Sequence, residues 1–141
     1  MERAAALKAE GTALFKNKAF RRARDKYGDA LAAVPAYPSS GAAAAAAADL
    51  RAVLHTNRAL MAFKLGLFED SAGDCALALE VAGAGDARAV KALFRRAQAR
   101  ARMGAAARLR QPRADDHGRA DRARGQPRQG RNDPRRPARE T

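Results

Sequence analysis

The chain has little of what a disulfide-bonded or an all-β protein needs. Its 141 residues include one cysteine, Cys75, no tryptophan and only 5% aromatic residues. A single cysteine excludes an internal disulfide framework and a cysteine-based zinc site, and it suggests a reducing compartment. The hydrophobic fraction of 47% is rich in alanine, which favours helices packed through small side chains over a β-sandwich. The length suits one domain and excludes a large multidomain enzyme.

Long apolar runs are also missing. The longest uncharged stretch, residues 30–48, contains Pro35, Pro38 and Gly41, so it is not a membrane span. Charged residues occupy the N-terminal segment where a secretory signal would have its apolar stretch: Glu2, Arg3, Lys8 and Glu10. We therefore expect a cytoplasmic protein without a membrane partner, with the nucleus as the second choice of compartment.

The charge of the chain is strongly positive. Lys and Arg number 28 against 15 Asp and Glu, a net charge of +13. Such a balance predicts an acidic partner, and by itself it does not choose among nucleic acid, anionic lipid and carboxylate-rich peptide.

Residues 105–141 differ in composition from the rest. They hold eleven Arg, no Lys and five acids, and Leu109 is their only large apolar residue. This composition buries too little apolar surface to offset chain entropy, so it predicts a disordered Arg-rich tail. The segment is either a genuine C-terminal tail or an altered end of the sequence, such as one read in the wrong frame. Without aromatic residues it would bind nucleic acid only weakly and non-specifically.

Apolar residues in residues 1–104 recur at helical spacing. Leu7, Leu14 and Phe15 fall on one helical face, and a second helical pattern runs from Phe20 to Val34. The two patterns predict an α-hairpin, and the arrangement begins again near residues 54 and 93. A small residue marks each first helix, at separations of 48 and 38 residues: Gly11, Ala59 and Ala97.

This order of small and large residues resembles the tetratricopeptide repeat, whose period is 34 residues. The repeats would span about residues 4–37, 52–85 and, in part, 90–104. Residues 38–51 form an Ala-rich insert, for which we expect a turn and then a solvent-exposed extension of the next helix. The resemblance implies an all-α array of about two and a half repeats and five helices.

The third repeat lacks its second helix, because the sequence after Gly104 turns Arg-rich. Stacked repeats bury each hairpin against the next. We therefore expect the third repeat's helix to expose Leu93, Phe94 and Ala97.

The first helices of stacked repeats line a concave groove that can hold an extended peptide. Five residues are the candidate peptide-binding set: Lys8, Thr12, Asn57, Lys91 and Arg95. The set resembles the dicarboxylate clamp of chaperone-binding tetratricopeptide proteins, in which Lys, Asn, Asn, Lys and Arg hold the C-terminal Asp of heat-shock chaperones. Thr12 stands where that family has Asn.

The resemblance implies a role for each of the other four residues. Lys8 and Asn57 would hold the main-chain carboxylate of the peptide. Lys91 and Arg95 would bind the side-chain carboxylate and an upstream carbonyl. Charge-assisted hydrogen bonds of this kind contribute about 1.5 to 3 kcal/mol each. Taken singly, however, each cation is more often part of a solvated helix face.

The segments around Asn57 and Arg95 also resemble the tetratricopeptide domain of UCS-type myosin chaperones. The implied function is a co-chaperone-like adaptor for the Glu-Glu-Val-Asp type of chaperone tail, with a client such as myosin. The alternatives are a general acidic-peptide scaffold and non-specific RNA binding through the tail.

The single cysteine and the two histidines form no catalytic or metal-binding pattern in the sequence. Cys75 falls at a core position, His55 at an inter-helix packing position, and His117 in the tail. The sequence has no Gly-rich phosphate loop and no Ser/His/Asp ordering. We therefore expect no enzyme, no catalytic residue, no metal and no cofactor.

Overall fold

The computed structural model describes residues 1–36, 40–82 and 86–110, and within them the chain forms five α-helices and no strand. The helices are α1 (Glu2–Lys16), α2 (Phe20–Ala33), α3 (Gly41–Lys64), α4 (Phe68–Val81) and α5 (Ala87–Arg110). The expected all-α fold with five helices is confirmed. Met1–Arg108 form one compact unit. The predicted disordered tail, from residue 111 onward, lies outside the described residues.

The helices pair as two hairpins, α1 with α2 and α3 with α4, and their two turns have the same geometry. Two positions after the end of each first helix lies a residue with positive φ, Lys18 at 58° and Gly66 at 76°. The amide after that residue reaches back to close the last helical turn, from Ala19 to the Leu14 carbonyl and from Leu67 to the Ala62 carbonyl. The two turns lie 48 residues apart, which is the separation of Gly11 and Ala59 in the sequence.

The core between the hairpins is built from small side chains with a few large ones. A first cluster joins α1, α2 and α3, and its members are Ala4, Ala23, Tyr27, Ala30, Val34, Ala47, Leu54 and Met61. A second, smaller cluster joins α3, α4 and α5, and its members are Ala59, Cys75, Ala78 and Ala92. Cys75 is a fully buried thiol, as expected from its core position, and burial raises its pKa. The many alanines in both clusters agree with the predicted packing of helices through small side chains.

Gly11 allows the closest approach within the first hairpin. A methyl group at Gly11 would lie 2.8 Å from Cε1 of Tyr27, whose side chain is buried in the first cluster. The space that a side chain would need is filled by the Tyr27 ring, so α1 and α2 meet at this point without a Cβ between them.

The Ala-rich insert is helical, as expected, but it is not wholly exposed. Gly41–Lys64 is one continuous helix, and Ala47 within the insert is 2% exposed and belongs to the first core cluster. The expectation of a solvent-exposed extension is wrong at this residue. An alanine run has no large side chain to bury, yet a single methyl group fits where two helices pack closely.

Helix α5 continues to Arg110, six residues beyond the predicted end at Gly104. The predicted boundary between folded domain and tail at 104/105 is therefore too early. The loss of large apolar residues predicts an end of the helix at this point, but alanine is the best helix former and three alanines follow Gly104.

One face of α5 is exposed in the described part of the chain, as expected from the sequence. Val90 is 64% exposed, Leu93 48% and Phe94 63%, and Ala97 is also exposed. The opposite face, with Ala92 and Ala99, packs inward.

Candidate peptide-binding site

The five candidate residues lie on three of the five helices. Lys8 and Thr12 are on α1, Asn57 is on α3, and Lys91 and Arg95 are on α5. Lys91 is exposed and the other four are partly buried. The side chains of Lys8, Asn57 and Lys91 make no hydrogen bond or ion pair with any other described residue. Two ammonium groups and one amide are therefore available to a ligand.

Thr12 is engaged within the first hairpin. Its hydroxyl donates to the Lys8 carbonyl at 3.0 Å, and its Oγ1 lies 3.2 Å from the hydroxyl of Tyr27. Since Tyr27 is buried, its hydroxyl needs a partner inside the protein, and Thr12 supplies it. The structure thus gives Thr12 a structural contact at the position where the clamp family has an amide.

Arg95 links α5 to α3. Its Nη1 donates to the carbonyl oxygen of Thr56 at 2.6 Å, one residue before Asn57. Desolvation lowers the pKa of Arg95 from its ordinary value, and the neighbouring Cys75 acts in the opposite direction. The guanidinium stays protonated at neutral pH, because its ordinary pKa is so high. The structure therefore brings Arg95 and the backbone next to Asn57 together.

Two more arginines on α5 also contact α3. Arg88 forms an ion pair with Asp49 at 3.0 Å, and the guanidinium of Arg102 lies 5.9 Å from the ring centroid of Phe63. With the contact between Arg95 and Thr56, there are three contacts, which recur every seven residues on both helices. Each contact joins two residues that are 39 positions apart in the sequence. Such a register requires α3 and α5 to run parallel. We call Arg88, Arg95 and Arg102 the arginine ladder.

Of the arginine ladder, only Arg95 belongs to the candidate set predicted from the sequence. The signal that could have found the others is their seven-residue spacing on α5, which is two helical turns. That spacing indicates a shared helix face but does not say what the face contacts.

A buried carboxylate, Asp74, joins α4 to α3 and was not singled out in the sequence. Arg58 donates to both of its oxygens, from Nε at 2.9 Å and from Nη2 at 2.6 Å, and Nδ1 of His55 lies 3.1 Å from Oδ1. Burial alone would raise the pKa of Asp74, but the hydrogen bonds from His55 and Arg58 outweigh it and hold the pKa below its ordinary value. His55 is thus an inter-helix residue, as expected.

The charges of the helices differ sharply. Helix α5 carries eight Lys or Arg and no Asp or Glu, whereas α4 carries four acids and no Lys or Arg. The cations of α5 make its surface electropositive beside the candidate residues.

Neither a metal-binding cluster nor a membrane-spanning helix is found among the described residues. They contain no group of three His, Cys, Asp or Glu side chains that could hold a metal ion. None of the described helices combines the length and the apolar character that crossing a bilayer requires. Comparison of the chain with models of known protein families and with curated proteins finds no match.

Proposed function

We propose that this chain is a tetratricopeptide-like adaptor that binds the acidic C-terminal peptide of cytosolic heat-shock chaperones, of the Glu-Glu-Val-Asp type. The observation that carries the proposal is the contact between Arg95 and the Thr56 carbonyl. It holds a cation of α5 against the residue that precedes Asn57 on α3, and a peptide carboxylate needs a cation and an amide close together.

The remaining donors support the same ligand. Lys8 and Lys91 come from the first and the last of the three helices, and neither side chain has an intramolecular partner among the described residues. A peptide that ends in Asp presents two carboxylates, which match two ammonium groups and a guanidinium. Arg95 uses one of its five N–H donors on Thr56, so others remain for a ligand.

Thr12 contributes differently from the Asn of the clamp family. Its hydroxyl stabilises the buried Tyr27 hydroxyl, so the proposed site relies on Lys8, Asn57, Lys91 and Arg95. The protein would act in the cytoplasm by holding its partner without turnover. It would deliver a client such as myosin.

The test is calorimetric titration of the full chain with a peptide ending in Glu-Glu-Val-Asp, as free acid and as C-terminal amide. Lys91→Ala removes an exposed side chain that forms no hydrogen bond or ion pair with the described residues, so it should leave the fold intact. We expect this change, like amidation, to weaken binding by about 10- to 150-fold, because a carboxylate loses a charged donor of about 1.5 to 3 kcal/mol. Arg95→Ala is less informative, since it also removes a contact between α5 and α3.

The matched control is Lys64→Ala, which removes an exposed lysine at the end of α3, outside the proposed site. It should leave the affinity within about twofold of the parent chain. Equal affinity for the acid and the amide peptide, with Lys91→Ala as silent as the control, would refute the clamp. Affinity for any acidic peptide, irrespective of its terminus, would favour a general acidic-peptide scaffold instead.

A further inference from the structure

Helix α5 repeats the layout of α3 at a separation of 38 residues. The inward-facing Leu54 and Met61 of α3 correspond to Ala92 and Ala99 of α5, and all four are buried. The correspondence therefore identifies, residue by residue, which part of α5 matches the face of α3 that α4 covers.

The face of α3 that α4 covers is defined by direct contacts. Ser71 of α4 donates to the Ala59 carbonyl at 2.9 Å, and Asp74 of α4 binds Arg58. The rings of Phe63 and Phe68 meet edge to face at 5.3 Å.

The matching residues of α5 are exposed. Ala59 corresponds to Ala97, Phe63 to Ala101 and His55 to Leu93, and each of the α5 residues is open to solvent. Arg58 corresponds to Arg96, which forms no ion pair with any residue in the described part of the chain. We call Leu93, Phe94, Arg96, Ala97 and Ala101 the α5 outer face.

Neither the sequence of residues 111–141 nor a second α5 suits this face. Residues 111–141 contain no Leu, Ile, Val, Phe, Met, Tyr or Trp, so their sequence has no large apolar side chain to place against Leu93 and Phe94. Two copies of α5 would bring eight cations of each helix together without a single acid. Like charges at close range oppose such a dimer.

The helix that covers α3 shows what chemistry the face would accept. Helix α4 has four acids and no cation, and it directs a carboxylate to Arg58 and small side chains to Ala59. We propose that the α5 outer face is a docking site for an acidic amphipathic helix of another protein, which supplies a carboxylate to Arg96 and small residues to Ala97. Its inward positions would follow the spacing of α4: Ser71, Asp74, Cys75 and Ala78.

This site is separate from the proposed peptide clamp. Lys91 and Arg95 occupy a different sector of α5 from Leu93, Ala97 and Ala101, because residues two apart on a helix point about 200° apart. The docking site therefore does not depend on the proposed chaperone-peptide binding, and either can fail alone.

The probe is a synthetic peptide with the α4 sequence, Phe68–Val81, held helical by a side-chain staple between positions 73 and 77, both exposed in α4. Fluorescence anisotropy measures its binding to the full chain. Ala97→Glu on the protein adds bulk and a like charge at an exposed position, so it should weaken binding at least about tenfold while leaving the helical circular dichroism unchanged. Asp74→Asn in the peptide should weaken binding about fivefold or more, because Arg96 loses its carboxylate.

The matched control is Ala13→Glu, which makes the same substitution at an exposed position of α1 and should bind the peptide like the parent chain. The proposal is overturned if the stapled peptide fails to bind at about 1 mM, or if Ala97→Glu and Ala13→Glu bind it equally. It is also overturned if the parent chain sediments as a dimer that Ala97→Glu dissociates, since the occupant would then be a second copy. Deletion of residues 111–141 should not alter the affinity, and a tenfold gain would mean that the tail covers the face.

Discussion

Replacement of the buried Asp74 by asparagine should destabilise the fold and change its response to acid. Both carboxylate oxygens accept hydrogen bonds in the folded protein, Oδ2 from Nε of Arg58 and Oδ1 from Nη2 of Arg58 and from His55. Asparagine keeps the shape but replaces one oxygen with an amide donor. Whichever way the amide lies, a donor of Arg58 then faces another donor.

The size of the effect follows from burial on the two sides of the contact. The Asp74 side chain is 6% exposed, whereas that of Arg58 is 29% exposed and can regain water. Hydrogen bonds to charged groups contribute about 1.5 to 3 kcal/mol, and partial rehydration of Arg58 offsets some of the loss. We expect a loss of about 2 kcal/mol in the free energy of unfolding at pH 7, which lowers the Tm by roughly 10 °C in a domain of this size.

The pH dependence has a definite sign. The pKa of Asp74 is below its ordinary value of 3.8 in the folded protein, because hydrogen bonds from His55 and Arg58 outweigh the effect of burial. The carboxylate therefore stabilises the fold fully above the unfolded pKa, and this stability is lost as the pH falls through the folded pKa. The difference between the parent chain and Asp74→Asn should shrink below about pH 4.

Urea unfolding followed by circular dichroism at pH 7, 5, 4 and 3 measures both effects. Asp70→Asn is the control, because Asp70 is 52% exposed and its ion pair with Arg24 lies at the surface. We expect this change to cost less than about 1 kcal/mol. A loss for Asp74→Asn no larger than that of the control, or a difference that grows as the pH falls, would refute the reasoning.

Four further substitutions, in two matched pairs, probe the backbone of the hairpins, each measured by the free energy of unfolding in urea. Gly11→Ala should cost about 1 to 3 kcal/mol, because the new methyl would lie 2.8 Å from the Tyr27 ring. Gly73→Ala meets nothing within 4 Å and should stabilise by about 0.5 to 1 kcal/mol, and an equal response at both glycines would contradict the packing argument. Lys18→Gly should stabilise by about 0.5 to 1 kcal/mol, because glycine adopts a φ of 58° without strain. Gly66→Ala should destabilise, because alanine is strained at a φ of 76°. If Lys18→Gly lowered the free energy of unfolding and Gly66→Ala raised it, the turns would not be strained.

The arginine ladder shows how α5 is attached to α3. Among the described residues, α5 contributes only Ala92 to the second core cluster. Arg88 and Arg95 add polar contacts that tie it to α3. Those contacts position the cations of the proposed clamp, so stability of α5 and peptide affinity should be linked.

The sequence by itself determined the helices and their repeat register, because both depend on local patterns. Apolar spacing predicted the two hairpins, and the 48-residue separation of Gly11 and Ala59 recurs between the turns at Lys18 and Gly66. The exposure of Phe94 was also predictable, because Leu109 is the only large apolar residue that the sequence offers after Gly104. Helix ends were less predictable, because alanine sustains a helix without burying it.

Only the tertiary structure decided which polar side chains are free to bind and which support the fold. Thr12 meets Tyr27 fifteen residues away, Arg58 meets Asp74 sixteen residues away, and Arg95 meets the Thr56 carbonyl thirty-nine residues away. Each contact joins two helices, so it depends on how the helices cross and how deeply the atoms are buried. Local sequence patterns specify the face on which a side chain lies, whereas a hydrogen-bond partner across helices is set by their packing.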